Sequence, residues 1–147
     1  MQTSSIVVID ASTAITLVIE NPLSDQVKTL WQGWVTEGRQ VCAPGLWLNE
    51  VTSVIHKIAK LTPLDDDGAV RILEAVLALG VEVFPEDAAL CRQAFEWATR
   101  LDQLAAYDGF YLALREKLGG TFWSADQRLV NRAQQLGLSW VRSVEDS

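Results

Sequence analysis

Short apolar runs separated by long amphipathic stretches constrain this chain more than any other feature. Ile6–Ile9 reads IVVI, apolar at every position, so a strand there is buried on both faces. About Ala11 to Glu20 carries helical spacing and is closed by Asn21-Pro22. A second helical stretch runs from about Ser24 to Glu37 and ends near Gly38, before a short strand over Gln40–Ala43. Leu46–Leu61 is helical, and a further helix begins in the Leu64-Asp-Asp-Asp-Gly68 stretch and runs to Leu79 and Gly80. Val81–Phe84 reads as a third strand, followed by helices over about Glu86–Asp102 and Ala105–Leu118. Gly119-Gly120 breaks the pattern, Thr121–Ser124 is a fourth strand, Asp126–Leu136 a helix and Leu138–Val141 a fifth strand. Strands alternating with helices imply right-handed crossovers and an α/β fold of three layers, with a mostly parallel sheet of about five strands.

The 147 residues carry no repeat or Pro/Ser-rich linker and read as one domain over residues 1–147, long enough to bury a core. MQTSS at the start holds no Lys or Arg, and a four-residue apolar run is far short of a secretory or spanning segment. A soluble cytoplasmic protein is therefore expected. Cys42 and Cys91 fit no metal-type spacing and read as small buried hydrophobes. The net charge of −7 argues against a protein that coats nucleic acid through many lysine–phosphate contacts. It leaves open an enzyme that meets phosphate through a divalent cation, and it suits a basic protein partner.

In parallel sheets ligands sit beyond the carboxyl ends of the strands. Two strands here end on polar triplets, Asp10-Ala-Ser12 and Ser124-Ala-Asp126. Either aspartate could serve only as a helix N-cap, and Ser124-Ala-Asp-Gln127 matches a capping box with Ser124 as the cap, which would free Asp126. Glu50 falls at the boundary of the apolar face formed by Trp47, Leu48, Val51, Val54, Ile55 and Ile58. Its bland reading is a solvated side chain. Asp108 stands in the first turn of a helix, where the dipole alone would favour it. Gly109 beside it weakens that helix and points to a close backbone approach, a hint of a ligand nearby. Four carboxylates converging in one cleft would repel unless cations neutralised them, and such oxygen donors select Mg²⁺ or Mn²⁺. His56, the single histidine, lies opposite the apolar face and has no acid–base partner in view.

The segments IVVIDAST, LWLNEVTSVI, LAAYDGFYLAL and FWSADQRLVNRA resemble the ordered motifs of the PIN-domain family of metal-dependent nucleases. The resemblance spans essentially the whole chain, whose length is that of stand-alone bacterial members such as the VapC-like toxins of toxin–antitoxin pairs. It implies that Asp10, Glu50, Asp108 and Asp126 ligate Mg²⁺ or Mn²⁺, with Ser12 and Ser124 assisting through hydrogen bonds. It also implies an endoribonuclease acting on RNA, a homodimer, and a basic antitoxin as partner. Ser124 stands where threonine is more often found, Gly109 where alanine is usual, and Arg115 where many relatives carry a small residue.

Two rival classes remain at this point: a catalytically silent PIN-like scaffold, and a small-molecule phosphatase. The acidic stretch after Pro63 imitates a calcium loop, but proline replaces its first ligand and helical spacing continues from Ala69. There is no glycine-rich phosphate loop. Six tryptophans fit core packing for the most part, with one or two left over for an interface.

Overall fold

The computed structural model describes residues 5–146; the first four residues of the MQTSS stretch, and Ser147, lie outside the described residues. The elements run β1 (Ile6–Ile9), α1 (Ala11–Val18), α2 (Ser24–Thr36), β2 (Gln40–Pro44), α3 (Leu46–Leu61), α4 (Asp66–Leu77) and β3 (Glu82–Phe84). They continue with α5 (Ala88–Leu101), α6 (Tyr107–Leu118), β4 (Thr121–Ser124), α7 (Gln127–Gln135), β5 (Val141–Ser143) and a 3₁₀ turn over Val144–Asp146. The five strands form one all-parallel sheet in the order β3-β2-β1-β4-β5. The expected α/β class is thus what the chain adopts.

Strand order fixes the layers. From β1 the chain moves outward through β2 to β3, then crosses back to β4 and on to β5. Right-handed crossovers therefore put α1–α4 on one face and α5–α7 on the other. Side chains on β4 show the division: Phe122 stacks on Tyr111 of α6, whereas Trp123 packs at 5.9 Å from Trp34 of α2. Val7, Val8 and Ile9 are fully buried, as a central strand covered on both sides requires. Burying each of these side chains contributes roughly 1.5–3 kcal/mol.

Helix boundaries follow local chemistry. Asp65 caps α4 through the Gly68 N–H, with Asp66 and Asp67 in the first turn, so the calcium-like stretch is an acidic helix start. Asp87 caps α5 through Leu90. On α3, Trp47, Val51 and Ile55 are buried while Leu48 and Val54 stay partly exposed, a narrower apolar stripe than the spacing suggests.

Three expectations need correction. The fifth strand is Val141–Ser143 and not Leu138–Val141. Gly137, at φ +80°, turns the chain out of α7, and Leu138 is spent donating to Ala133 O, so pairing begins only at Val141. Cys42 is buried as expected, but Cys91 is exposed on the outer side of α5. Gly109 does answer a close backbone approach, yet to a helix: a Cβ there would collide with the carbonyl oxygen of Ala94 on α5. Four tryptophans, Trp34, Trp47, Trp97 and Trp123, are buried core residues.

Candidate active site

Asp10 follows β1 directly, so the central strand carries its carboxylate to the carboxyl edge of the sheet. Its Oδ1 accepts from the Thr13 N–H at 3.1 Å, capping α1, and also from Ser12 Oγ at 2.6 Å. Ser124 Oγ donates to the other carboxylate oxygen. Asp10 is therefore a helix cap and a buried carboxylate at once, and the two readings of it are not alternatives.

The adjacent strand β4 supplies the other side of this arrangement. Thr13 Oγ1 donates to Trp123 O at 3.0 Å, and the Ala125 N–H donates to Ser12 Oγ at 3.0 Å. These bonds tie the β1–α1 turn to the β4–α7 turn. Ser124 is not the cap of α7; Asp126 is, accepting from the N–H groups of Arg128 and Leu129. The serine hydroxyl is committed to Asp10 instead, while it accepts from the Asp126 N–H at 2.9 Å. The buried carboxylate in direct contact with it is the better acceptor, and it captures the hydroxyl that the capping-box pattern assigns elsewhere.

Glu50 projects from α3, half-buried, and receives a hydrogen bond from the Tyr111 hydroxyl. Tyr111 lies one turn along α6 from Asp108, buried against Phe122. Asp108 in turn accepts from Gln103 Nε2 at 2.8 Å. Asp10, Ser12, Glu50, Asp108, Tyr111 and Asp126 line one cavity of about 460 Å³. Four segments far apart in sequence thus bring the four predicted carboxylates to one cleft, with Ser12 beside them and Ser124 immediately beneath. Among the described residues, no three aspartate, glutamate, histidine or cysteine side chains already form a group that could hold a metal ion.

Each carboxylate has a neighbouring group that orients it: hydroxyls for Asp10, a phenol for Glu50, an amide for Asp108, helix N–H groups for Asp126. Sequence reasoning missed Thr13, Gln103 and Tyr111. The signal for Thr13 and Tyr111 was present, since each stands three residues after an aspartate on a helix and so shares its face. Gln103 sits in the loop before α6, where periodicity says nothing.

Burial pushes the Asp10 carboxyl above its ordinary range; hydrogen bonds from Ser12 and Ser124 pull it back, and the charge of Asp108 adds to the rise. Glu50 is raised by burial first, offset by the Tyr111 bond and reinforced by Asp10 and Asp108. Asp108 is raised by burial and by Asp126, against the Gln103 bond. Tyr111 is pushed well above a normal phenol by burial and by Glu50, so it stays a donor. Carboxylates that are buried, mutually repelling and supplied with oxygen-rich surroundings suit a hard divalent cation. In an adjoining hollow of about 550 Å³, Asp108 and Asp126 face Arg128 and Arg132 of α7.

Comparison with known families gives a match to the PIN domain over residues 7–135. Comparison with curated proteins gives no match. Among solved structures, the fold resembles PAE2754 of Pyrobaculum aerophilum, with 19% identity, TM-score 0.70, and coverage of 99% of this chain and 90% of that one. It also resembles VapC20 of Mycobacterium tuberculosis, a sarcin–ricin loop cleaving toxin, with 21% identity, TM-score 0.60, and coverage of 81% and 87%. A third resemblance is to VapBC from Salmonella typhimurium bound to DNA, with 13% identity, TM-score 0.67, and coverage of 97% and 99%.

Proposed function

Because the chain belongs to the PIN-domain family, we propose that it is a divalent-metal-dependent endoribonuclease, the toxin member of a toxin–antitoxin pair. One observation carries the reading: Asp10, Glu50, Asp108 and Asp126 line a single cleft at the carboxyl edge of a parallel sheet. PIN domains typically use divalent metals, and these four side chains would hold Mg²⁺ or Mn²⁺ here. Bound there, such an ion would supply Lewis acidity to the phosphodiester oxygens and make water a stronger nucleophile at neutral pH. Ser12, Ser124 and Thr13 keep Asp10 fixed, and Tyr111 and Gln103 hold Glu50 and Asp108 in orientation. Arg128 and Arg132, beside the acidic cleft, offer guanidinium groups to the RNA backbone without a broad basic surface.

The partner in this proposal is an antitoxin with a basic segment, suited to a chain of net charge −7. VapBC and FitAB complexes among the similar folds support that pairing, and homodimerisation belongs to the same proposal. No helix among the described residues is long and apolar enough to cross a membrane.

The catalytically silent alternative is favoured by one observation, the net charge of −7, which leaves no broad basic surface for RNA. Cleavage assays with Mn²⁺ on RNA, single-stranded DNA and p-nitrophenyl phosphate decide between them. RNA cleavage that disappears in Asp10→Asn supports the nuclease. Failure to bind Mn²⁺ at millimolar concentration, with no cleavage of RNA, supports the scaffold; turnover of the monoester alone would mean a phosphatase.

A further inference from the structure

The crossover pattern leaves one part of the sheet thinly covered. On the face occupied by α1–α4, neither β4 nor β5 has a crossover helix of its own. Helix α2 leans across the gap and encloses a cleft of about 930 Å³, at the top of the range of small-molecule sites. Trp123 and Trp34 reach its wall only at their edges, being 8% and 5% exposed. Arg142 pairs in register with Trp123, so both side chains emerge on this face, and its guanidinium carbon sits 5.0 Å from the indole centroid. The outer plane of that guanidinium is a surface on which a flat ring can stack.

Arg115, on α6, reaches the same cleft. Its Nε donates to Gly120 O at 2.7 Å and its guanidinium lies 4.3 Å from the Trp140 centroid. Burial lowers its pKa from the ordinary arginine value. Asp25 and Glu37 also line the cleft, with Glu37 held by Arg39; Arg115 has Glu116 nearby, and neither Arg115 nor Arg142 is in one of the ion pairs among the described residues, Lys28–Glu20 and Arg39–Glu37. A half-buried guanidinium held in place by a carbonyl and an indole, with other N–H groups to spare, is an anion receptor.

Gly33 adds an independent observation. Glycine inside a helix weakens it, and here no close packing requires one: a Cβ at Gly33 would meet nothing within 4 Å. Its effect is to keep the α2 wall of the cleft open.

We propose that this cleft is a second ligand site, separate from the carboxylate cleft, for a nucleotide whose base lies on the outer plane of the Arg142 guanidinium and whose phosphate is held by Arg115. One guanidinium plane open for stacking beside a second guanidinium with N–H groups to spare matches a flat ring joined to a phosphate better than either part alone. Free mononucleotide and the phosphorylated end of an RNA strand share that chemistry.

The test is calorimetric titration of the full chain in EDTA, so that no metal holds a nucleotide at the carboxylates. The probes are AMP, adenosine, inorganic phosphate, and 5′-phosphorylated and 5′-hydroxyl uridine trinucleotides. AMP should bind with one-to-one stoichiometry and shift the indole N–H signals of Trp34 and Trp123. Arg115→Gln and Arg142→Gln should each weaken binding by about tenfold, through loss of a charge-assisted contact and of a stacking plane respectively. Gly33→Leu should abolish binding while keeping or raising the melting temperature, which separates loss of the site from loss of the fold. Asp10→Asn should bind AMP as the parent does. AMP alone binding would assign the site to free nucleotide, and tighter binding of the phosphorylated trinucleotide to an RNA end. No binding by AMP or by the phosphorylated trinucleotide in the millimolar range would overturn the proposal. So would affinity unchanged in Gly33→Leu, or adenosine or phosphate binding as tightly as AMP.

Discussion

The carboxylate cleft and the cleft under α2 draw on the same four-residue strand, yet the charged groups lining one are carboxylates alone, while the other has three arginines beside Asp25 and Glu37. Ser124, at the carboxyl end of β4, serves Asp10; Thr121 and Trp123, on the face toward α2, serve the other cleft. Alternation along a strand is enough to give one element two chemically unrelated neighbourhoods. A net charge of −7 describes neither of them. What matters for ligands is where the topology gathers each sign: acids at the strand ends, arginines where helix cover runs thin.

The largest expected contrast between the two is in catalysis. Asp10→Asn should cut Mn²⁺-dependent RNA cleavage by at least about a hundredfold, beyond what loss of an outer ligand partner costs. Asparagine still caps α1, so circular dichroism and the urea midpoint should hold near parent values. A retained rate would break the assignment of the acidic cleft.

Two glycines sharpen the comparison through stability. Gly109→Ala forces α5 and α6 apart and should cost about 1–3 kcal/mol or more in urea unfolding. Gly33→Ala meets open space and should instead gain up to about 1 kcal/mol. Equal effects would mean that the α2 cleft is as tightly closed as the α5–α6 contact.

Tyr111→Phe keeps the ring stacked on Phe122 and removes only the bond to Glu50. Hydrogen bonds to charged groups contribute about 1.5–3 kcal/mol. Much of that should surface as a lower kcat, because Glu50 loses its orientation; an unchanged rate would leave Tyr111 a packing residue.

The acidic cleft also gives a pH signature that the arginine cleft does not. Asp10, Glu50 and Asp108 all have carboxyl pKa values raised by burial in the folded chain. The stability linked to them is full below the ordinary carboxylate values and is lost as pH rises through the folded ones. In EDTA the urea midpoint should therefore fall as the pH rises above the ordinary carboxylate range, and Asp108→Asn should flatten that fall. A midpoint that rose instead would contradict the shifts. The smallest effect is expected at Cys91→Ser, on the exposed side of α5 and far from both clefts, within about 0.5 kcal/mol of the parent.

Much of this was legible in the residues. Apolar runs marked β1 and β4, and the polar triplets at their ends pointed to Asp10 and Asp126 before any geometry was known. Less legible was anything decided by competition between partners. Ser124 matches a capping pattern, but tertiary contact with Asp10 outbids the local bond. Gly109 signalled proximity without saying to what, since a helix and a ligand impose the same demand on a Cβ. Arg115 stood out as a departure, and its destination depended on a cleft formed by α2, β4 and β5 together.

The pairing of β1 with β4 has a consequence in time. During synthesis Asp10 emerges more than a hundred residues before Ser124 and Asp126. Until then β1 has β2 on one side and an open edge on the other, and the bonds Ser124–Asp10 and Thr13–Trp123 have no donors or acceptors to close them. A ribosome that stalls or a message cut before β4 releases a chain lacking half of the strand-end carboxylates. Activity of the proposed kind is thus withheld from every product that ends before β4, because the last carboxylate of the cleft lies beyond that strand.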